Sequence, residues 1–217
     1  MLCRHNLLLL CCEGRAFAYG EALLRSQGVP GFLLFELIVE EKTPAIVKRQ
    51  ASVSEGCVEV GFSSWRVADG VRPRAESLVP ARFVEKVITP FQVAEMMLAA
   101  PGERVGAVLR AAGGSGVKAG FFGSVALAAV TGRPYASESS DLDVIIEAQT
   151  YVQIKEFRDS LANEPALDSV RLDIELYVGD GFSVKLEELF SGQATILAKG
   201  LRDVRLFDMA EVRARFG

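Results

Sequence analysis

The chain has 217 residues, half of them hydrophobic, and a formal net charge of −4 at neutral pH. It can bury a substantial core as one large domain or two small ones, and its acidic balance speaks against a general nucleic-acid binder, which carries a basic face. Its four cysteines, at positions 3, 11, 12 and 57, have neither zinc-ligand spacing nor the density of a disulfide framework, so a reducing, cytoplasmic setting is expected.

Arg4 and His5 precede Leu7–Cys12, an apolar run of six residues ended by Glu13. That is short of a signal-peptide core, and the run is read as a buried strand. No apolar stretch has the length that crosses a bilayer. Ala16–Gln27 reads as a helix closing at Gly28, and Pro30 starts a second helix to about Glu41. Pro44 introduces a strand, Ala45–Gln50, which ends in Lys48, Arg49 and Gln50; Val58–Phe62 alternates as another. Residues 68–80, basic and broken by Gly70, Pro73 and Pro80, read as an exposed loop or linker.

Thr89 followed by Pro90 is an N-cap with proline at the first helical position, and that helix is expected to reach about Ala100. Val105, Val108, Leu109 and Ala112 mark an amphipathic helix ended by Gly113-Gly114. Val117–Phe122 is a strand, Ser124–Thr131 a helix capped by Gly132, and Asp141–Glu147 a strand. Tyr151–Asn163 places Ile154, Phe157 and Leu161 on one helix side, and Val170–Val178 follows as a strand. Asp180-Gly181 signals a hairpin turn before Phe182–Lys185. Short elements at Ala194–Lys199, Val204–Phe207 and Met209–Arg215 complete the chain.

Chemistry concentrates between residues 120 and 147. Strand side chains alternate, so Asp141 and Asp143 share a face while Leu142, Val144 and Ile146 share the other. Two adjacent carboxylates repel unless a cation lies between them, and hard oxygen ligands favour magnesium or manganese. Gly123 lets backbone approach a phosphate, and Ser124 with a helix N-terminus supplies donors and positive potential. Asp173 and Glu175, two residues apart in Arg-Leu-Asp-Ile-Glu-Leu, can each supply a third carboxylate; Asp173 is preferred. Strand, Gly-Ser turn, helix and Asp-x-Asp strand together suit nucleotidyl transfer. Singly, each has a plainer reading: a Gly-Ser before any helix, or a solvated strand edge. His5, the sole histidine, can bond substrate or a backbone carbonyl, the structural role being preferred; the cysteines are expected to fill core, and Trp65 and Tyr135, which can also stack on adenine, to anchor core or loop.

Gly123-Ser124, then Thr131-Gly132 and Tyr135, then Ser140-Asp141-Leu142-Asp143 resemble the malonate decarboxylase holo-acyl-carrier-protein synthases. These are also called phosphoribosyl-dephospho-coenzyme A transferases, of the DNA polymerase β-like nucleotidyltransferase superfamily. The sixteen residues between Ser124 and Asp141, long for the general pattern, suit that family. Weaker matches run from Arg4-His5 through Pro44 to Arg49-Gln50, Thr89-Pro90, Asp173 with Glu175, and Ala198-Lys199. Val125–Ala128 lacks the aromatic residue common after the Gly-Ser element, and Lys185–Leu189 lacks a tryptophan often found there.

The resemblance implies an α/β (α+β) nucleotidyltransferase fold with a mixed sheet in a catalytic domain, 89–217, and a smaller N-terminal α/β domain, 1–88, that contacts substrate. It implies transfer of the phosphoribosyl-dephospho-CoA group from triphosphoribosyl-dephospho-CoA to a serine of the malonate decarboxylase acyl carrier protein, with loss of pyrophosphate. Asp141, Asp143 and Asp173 would hold Mg2+ or Mn2+, and Gly123 and Ser124 the β- and γ-phosphates. Lys48, Arg49 and Lys199 are candidate cations for the leaving charge. Two alternatives remain: transfer to another small-molecule or protein hydroxyl, and a non-catalytic binding module that keeps the fold.

Overall fold

The computed structural model describes residues 2–50, 55–67, 71–137 and 139–217. Two sheets organise the chain. The first is antiparallel throughout, with β1 (Leu7–Leu10), β2 (Ala45–Val47), β3 (Cys57–Ser63), β4 (Arg74–Pro80) and β5 (Val84–Ile88) in the order β4-β3-β2-β1-β5. The second contains β6 (Lys118–Phe121), β7 (Leu142–Glu147), β8 (Leu172–Gly179), β9 (Phe182–Lys185), β10 (Thr195–Lys199) and β11 (Val204–Asp208) in consecutive order. Only β7 and β8 run parallel, because α6 (Tyr151–Leu161) carries the chain back between them. The protein is therefore of the expected α+β class, with a mixed sheet in its second half.

Alternation drives the strands. In β3 the buried residues are Val58, Val60 and Phe62, and in β7 they are Leu142, Val144 and Ile146. Helix starts are equally local. Thr89 opens α3 (Pro90–Met97) with a capping box: its Oγ1 accepts from Gln92 N at 3.2 Å, and Gln92 Oε1 accepts from Thr89 N at 2.9 Å. Thr150 and Gln153 repeat the device at α6, whose Ile154, Phe157 and Leu161 are buried. The larger core gathers these residues with Leu7 and Ile88 of the first sheet, so both sheets share packing. A second core forms around α1 (Cys12–Arg25) and α2 (Gly31–Phe35), the latter continuing as a π-helical turn over Glu36–Glu40.

Four expectations need correction. Residues 74–80 are not loop: they form β4, paired with β3 along its whole length, which compensates for the proline content by placing Pro80 at the strand end. Residues 68–70 of that stretch lie outside the described residues. β5 has no counterpart among the expected elements. α4 (Gly102–Ser115) runs through Gly113-Gly114 and stops at Gly116, whose φ of 69° supplies the left-handed cap. β2 stops at Val47; Lys48–Gln50 leave the ladder, and Gln50 is fixed by its side chain on Lys48 O and Glu59 O, each at 2.7 Å.

Candidate active site

α5 (Gly123–Thr131) follows β6 through a sharp turn in which Phe122 N donates to Asp143 O at 3.1 Å. Gly123 has a φ of 64°, and a side-chain carbon built there would overlap the Asp143 carboxylate. Only glycine fits, on both counts. The turn thereby holds the N-terminal amides of α5 directly against the first residues of β7.

Asp143 lies across from Asp173 in the β7–β8 register, with Leu142 opposite Leu172 and Ile145 opposite Glu175. Paired side chains of neighbouring strands stand about 5 Å apart, so two carboxylates face each other there. Asp141, just before β7, completes the group and is paired to Arg171 Nη1 at 3.6 Å. Burial first, then the Asp173 and Asp141 charges, raise the Asp143 carboxyl to a pKa of about 6, against the opposing pull of Lys185. Lys185 Nζ bonds Asp173 Oδ1.

Glu175, the other candidate for the third carboxylate, has a different fate. It is 4% exposed and accepts from Arg4 Nη2 at 3.3 Å, His5 Nε2 at 3.2 Å and the Ser183 hydroxyl. Burial alone would raise its pKa, but the His5 bond and charge, the Arg4 guanidinium and Ser183 outweigh it and hold the carboxyl at about 2. His5 also stacks on Phe122, ring centroids 3.8 Å apart, which ties this network to the α5 turn. The geometry selects Asp173 to face Asp143.

Among the described residues no group of three or more His, Cys, Asp or Glu side chains stands in a metal-ligating arrangement. Asp173 is engaged by Lys185, and Asp141 by Arg171. The donor chemistry nonetheless fits a hard divalent cation, since oxygen ligands from adjacent strands surround a carboxyl that like charges disfavour.

A cleft of about 460 Å³ opens beside this group, lined by Gly123, Ser124, Asp141 and Asp143 on one wall and by Lys48, Arg72 and Arg74 of the first sheet on the other. Of the expected phosphate cations, Lys48 reaches the cleft, paired to Glu76 and, at 3.9 Å, to Glu59. Arg49 and Lys199 do not: both line a separate groove. Three cations were not anticipated. Arg72 and Arg74 lay in a stretch read as loop, and Lys185 takes its position from a register shift between Tyr177 and Gly179. The loop after α5 is pinned to the first sheet by Tyr135, fully buried, whose hydroxyl meets Thr43 Oγ1 at 3.3 Å and whose carbonyl accepts from Arg72 at 3.0 Å. Trp65 Nε1 donates to Glu41 Oε1 at 2.8 Å; both aromatics anchor structure.

Residues 92–210 match the phosphoribosyl-dephospho-CoA transferase MdcG C-terminal domain, more than half of the chain. The chain belongs to this family. It is also 35% identical over 92 residues to a phosphoribosyl-dephospho-CoA transferase of Bradyrhizobium diazoefficiens, the aligned stretch covering 42% of this chain and 41% of that protein. No solved structure matches it. The family match includes Gly123, Ser124, Asp141, Asp143 and Asp173, and thus the whole carboxylate group with its glycine turn. Among the described residues, no helix is long and apolar enough to cross a membrane.

Proposed function

We propose that the protein is a nucleotidyltransferase that moves the phosphoribosyl-dephospho-CoA group of triphosphoribosyl-dephospho-CoA onto a serine of the acyl carrier protein of malonate decarboxylase. The observation that carries this reading is the cross-strand pairing of Asp143 with Asp173 directly beneath the Gly123 turn. Gly123, Ser124 and the first amides of α5 hold the β- and γ-phosphates, an arrangement helix N-termini favour. Arg74 and Arg72 approach from the opposite wall and offset the triphosphate charge.

Asp141, Asp143 and Asp173 are the residues that would hold Mg2+ or Mn2+. When bound, such ions neutralise the phosphates and lower the barrier to in-line displacement. The serine oxygen forms a bond to the α-phosphorus as the bond to the bridging oxygen of the β-phosphate breaks, and pyrophosphate leaves with that electron pair. The serine proton passes to the Asp173 carboxylate, the oxygen acceptor that Lys185 Nζ contacts in this structure.

Incubation of the protein with triphosphoribosyl-dephospho-CoA, magnesium and the carrier protein tests the reading by intact mass. The carrier should gain the mass of one phosphoribosyl-dephospho-CoA group, and pyrophosphate should accumulate in equal amount. An unchanged carrier with intact donor would rule the reaction out.

A further inference from the structure

The cleft at the carboxylates is one of three neighbouring spaces that share lining residues. Lys48 lines both this cleft and a groove of about 600 Å³ bounded by Arg4, Arg49, Lys199 and Val204. No acidic residue lines the groove, and Arg49 and Lys199 have no carboxylate partner among the described residues. Arg4, His5 and Lys199 in turn separate the groove from a more enclosed chamber of about 230 Å³. That volume is below the roughly 300–1,000 Å³ of sites for drug-sized ligands, and it suits a slender chain.

The chamber walls are Pro90, Phe91, Ile145, Tyr177 and Phe182, with Asn6 beside them. Asn6 is 1% exposed, and its Nδ2 has no hydrogen-bond partner among the described residues. A buried amide donor left unpaired is costly, on the order of 1–3 kcal/mol. An acceptor entering the chamber removes that cost. Ile145 stands two residues along the same face of β7 from Asp143, about 7 Å away at the strand rise. The spaces thus lie in order from a phosphate turn, past unpaired cations, to a largely apolar chamber whose polar lining includes Asn6 and Glu147.

We propose that this path seats the coenzyme half of the donor: its diphosphate in the groove against Arg49 and Lys199, and its pantetheine arm in the chamber, with an arm carbonyl accepting from Asn6 Nδ2. The assignment rests on the donor proposed above. It gives Arg49 and Lys199 a phosphate role distinct from holding the leaving pyrophosphate. It also gives the N-terminal segment a reason to lie over the second sheet, because Arg4 and His5 line both groove and chamber.

Calorimetric titration of the full chain with dephospho-CoA and with ADP, which lacks the arm, tests the chamber without catalysis. Dephospho-CoA should bind at least about tenfold tighter than ADP, a factor that one satisfied hydrogen bond and partial burial of the arm supply. Ile145→Trp, which fills the chamber, should abolish that preference and leave ADP binding unchanged. Asn6→Leu, close in shape and free of the orphaned amide, should keep the fold and reduce the preference several-fold. Equal affinities in the unsubstituted protein, or a preference that survives Ile145→Trp, would overturn the chamber assignment; if the carrier still gains mass, the transfer reaction stands without it. Binding of neither nucleotide, with no mass gain, would remove both.

Discussion

Two carboxylate groups lie on one face of the second sheet, and they are built in opposite ways. Around Glu175 the charge is matched: a guanidinium, an imidazole and a hydroxyl converge on one buried carboxylate, and its pKa falls to about 2. Around Asp143 it is not: burial and then two further aspartates raise its pKa to about 6. Asp173 and Glu175 are two residues apart on the same strand, so side-chain direction does not separate them. What separates them is the N-terminal segment, which brings Arg4 and His5 over one and stops short of the other. A satisfied group holds two segments together, whereas the Asp143 group keeps like charges side by side.

The sharpest way to break that comparison is Asp143→Asn. Transfer to the carrier should fall by about 10³-fold or more, the scale on which electrostatic stabilisation of a transferring phosphoryl group acts. The melting temperature without metal should hold or rise, because the substitution removes a repelled charge. A loss of activity accompanied by unfolding would instead assign Asp143 to the structure.

Glu175→Ala should do the reverse. Arg4 and His5 lose a buried partner, which costs about 3–5 kcal/mol where a buried pair is broken from one side, and denaturant unfolding measures it. Since the folded carboxyl lies below its usual range, its stabilisation is present above about pH 4.5 and is lost as pH falls toward about 2. Acid unfolding of the variant should therefore show a weaker pH dependence in that window.

Gly123→Ala should impair both properties. The positive φ disfavours a side chain by about 1–2 kcal/mol, and the overlap with the Asp143 carboxylate displaces that group. Steady-state kinetics should show a lowered kcat beside this modest destabilisation; unaltered kinetics would mean the turn does not position the site.

The smallest effect is thermal. Asp143 has a raised folded pKa, so its contribution to stability is present below about pH 3.8 and is lost as pH rises through about 6. Magnesium should raise the melting temperature by a few degrees at about pH 7.5 and by little at about pH 5, where the carboxyl is protonated. EDTA should reverse the shift, and Asp143→Asn should not show it. An equal shift at both pH values would place the cation elsewhere.

Much of this was legible in the chain itself. The Gly-Ser turn, the Asp-x-Asp strand and Asp173 were each visible from spacing, as was the capped helix start at Thr89, because those signals are local. Lys185 was not. The Asp180-Gly181 turn, with φ of 53° and 78°, fixes a hairpin, but continuing its Gly179–Phe182 pairing would set Leu186 opposite Glu175. The observed irregularity puts Lys185 there instead, and a one-residue slip reverses which face a side chain takes. Arg72 and Arg74 were hidden for another reason: β4 is recognised as a strand only once β3 supplies its partner.

By itself, then, the sequence determined the α+β class, the carboxylate pair and the turn that faces it, since alternation and the special freedom of glycine act over a few residues. Tertiary structure decided which of two acids faces Asp143, which cations line the cleft, and that Arg4 and His5 reach the second sheet. Those choices depend on contacts between segments as much as 195 positions apart, whose pairing no local pattern records.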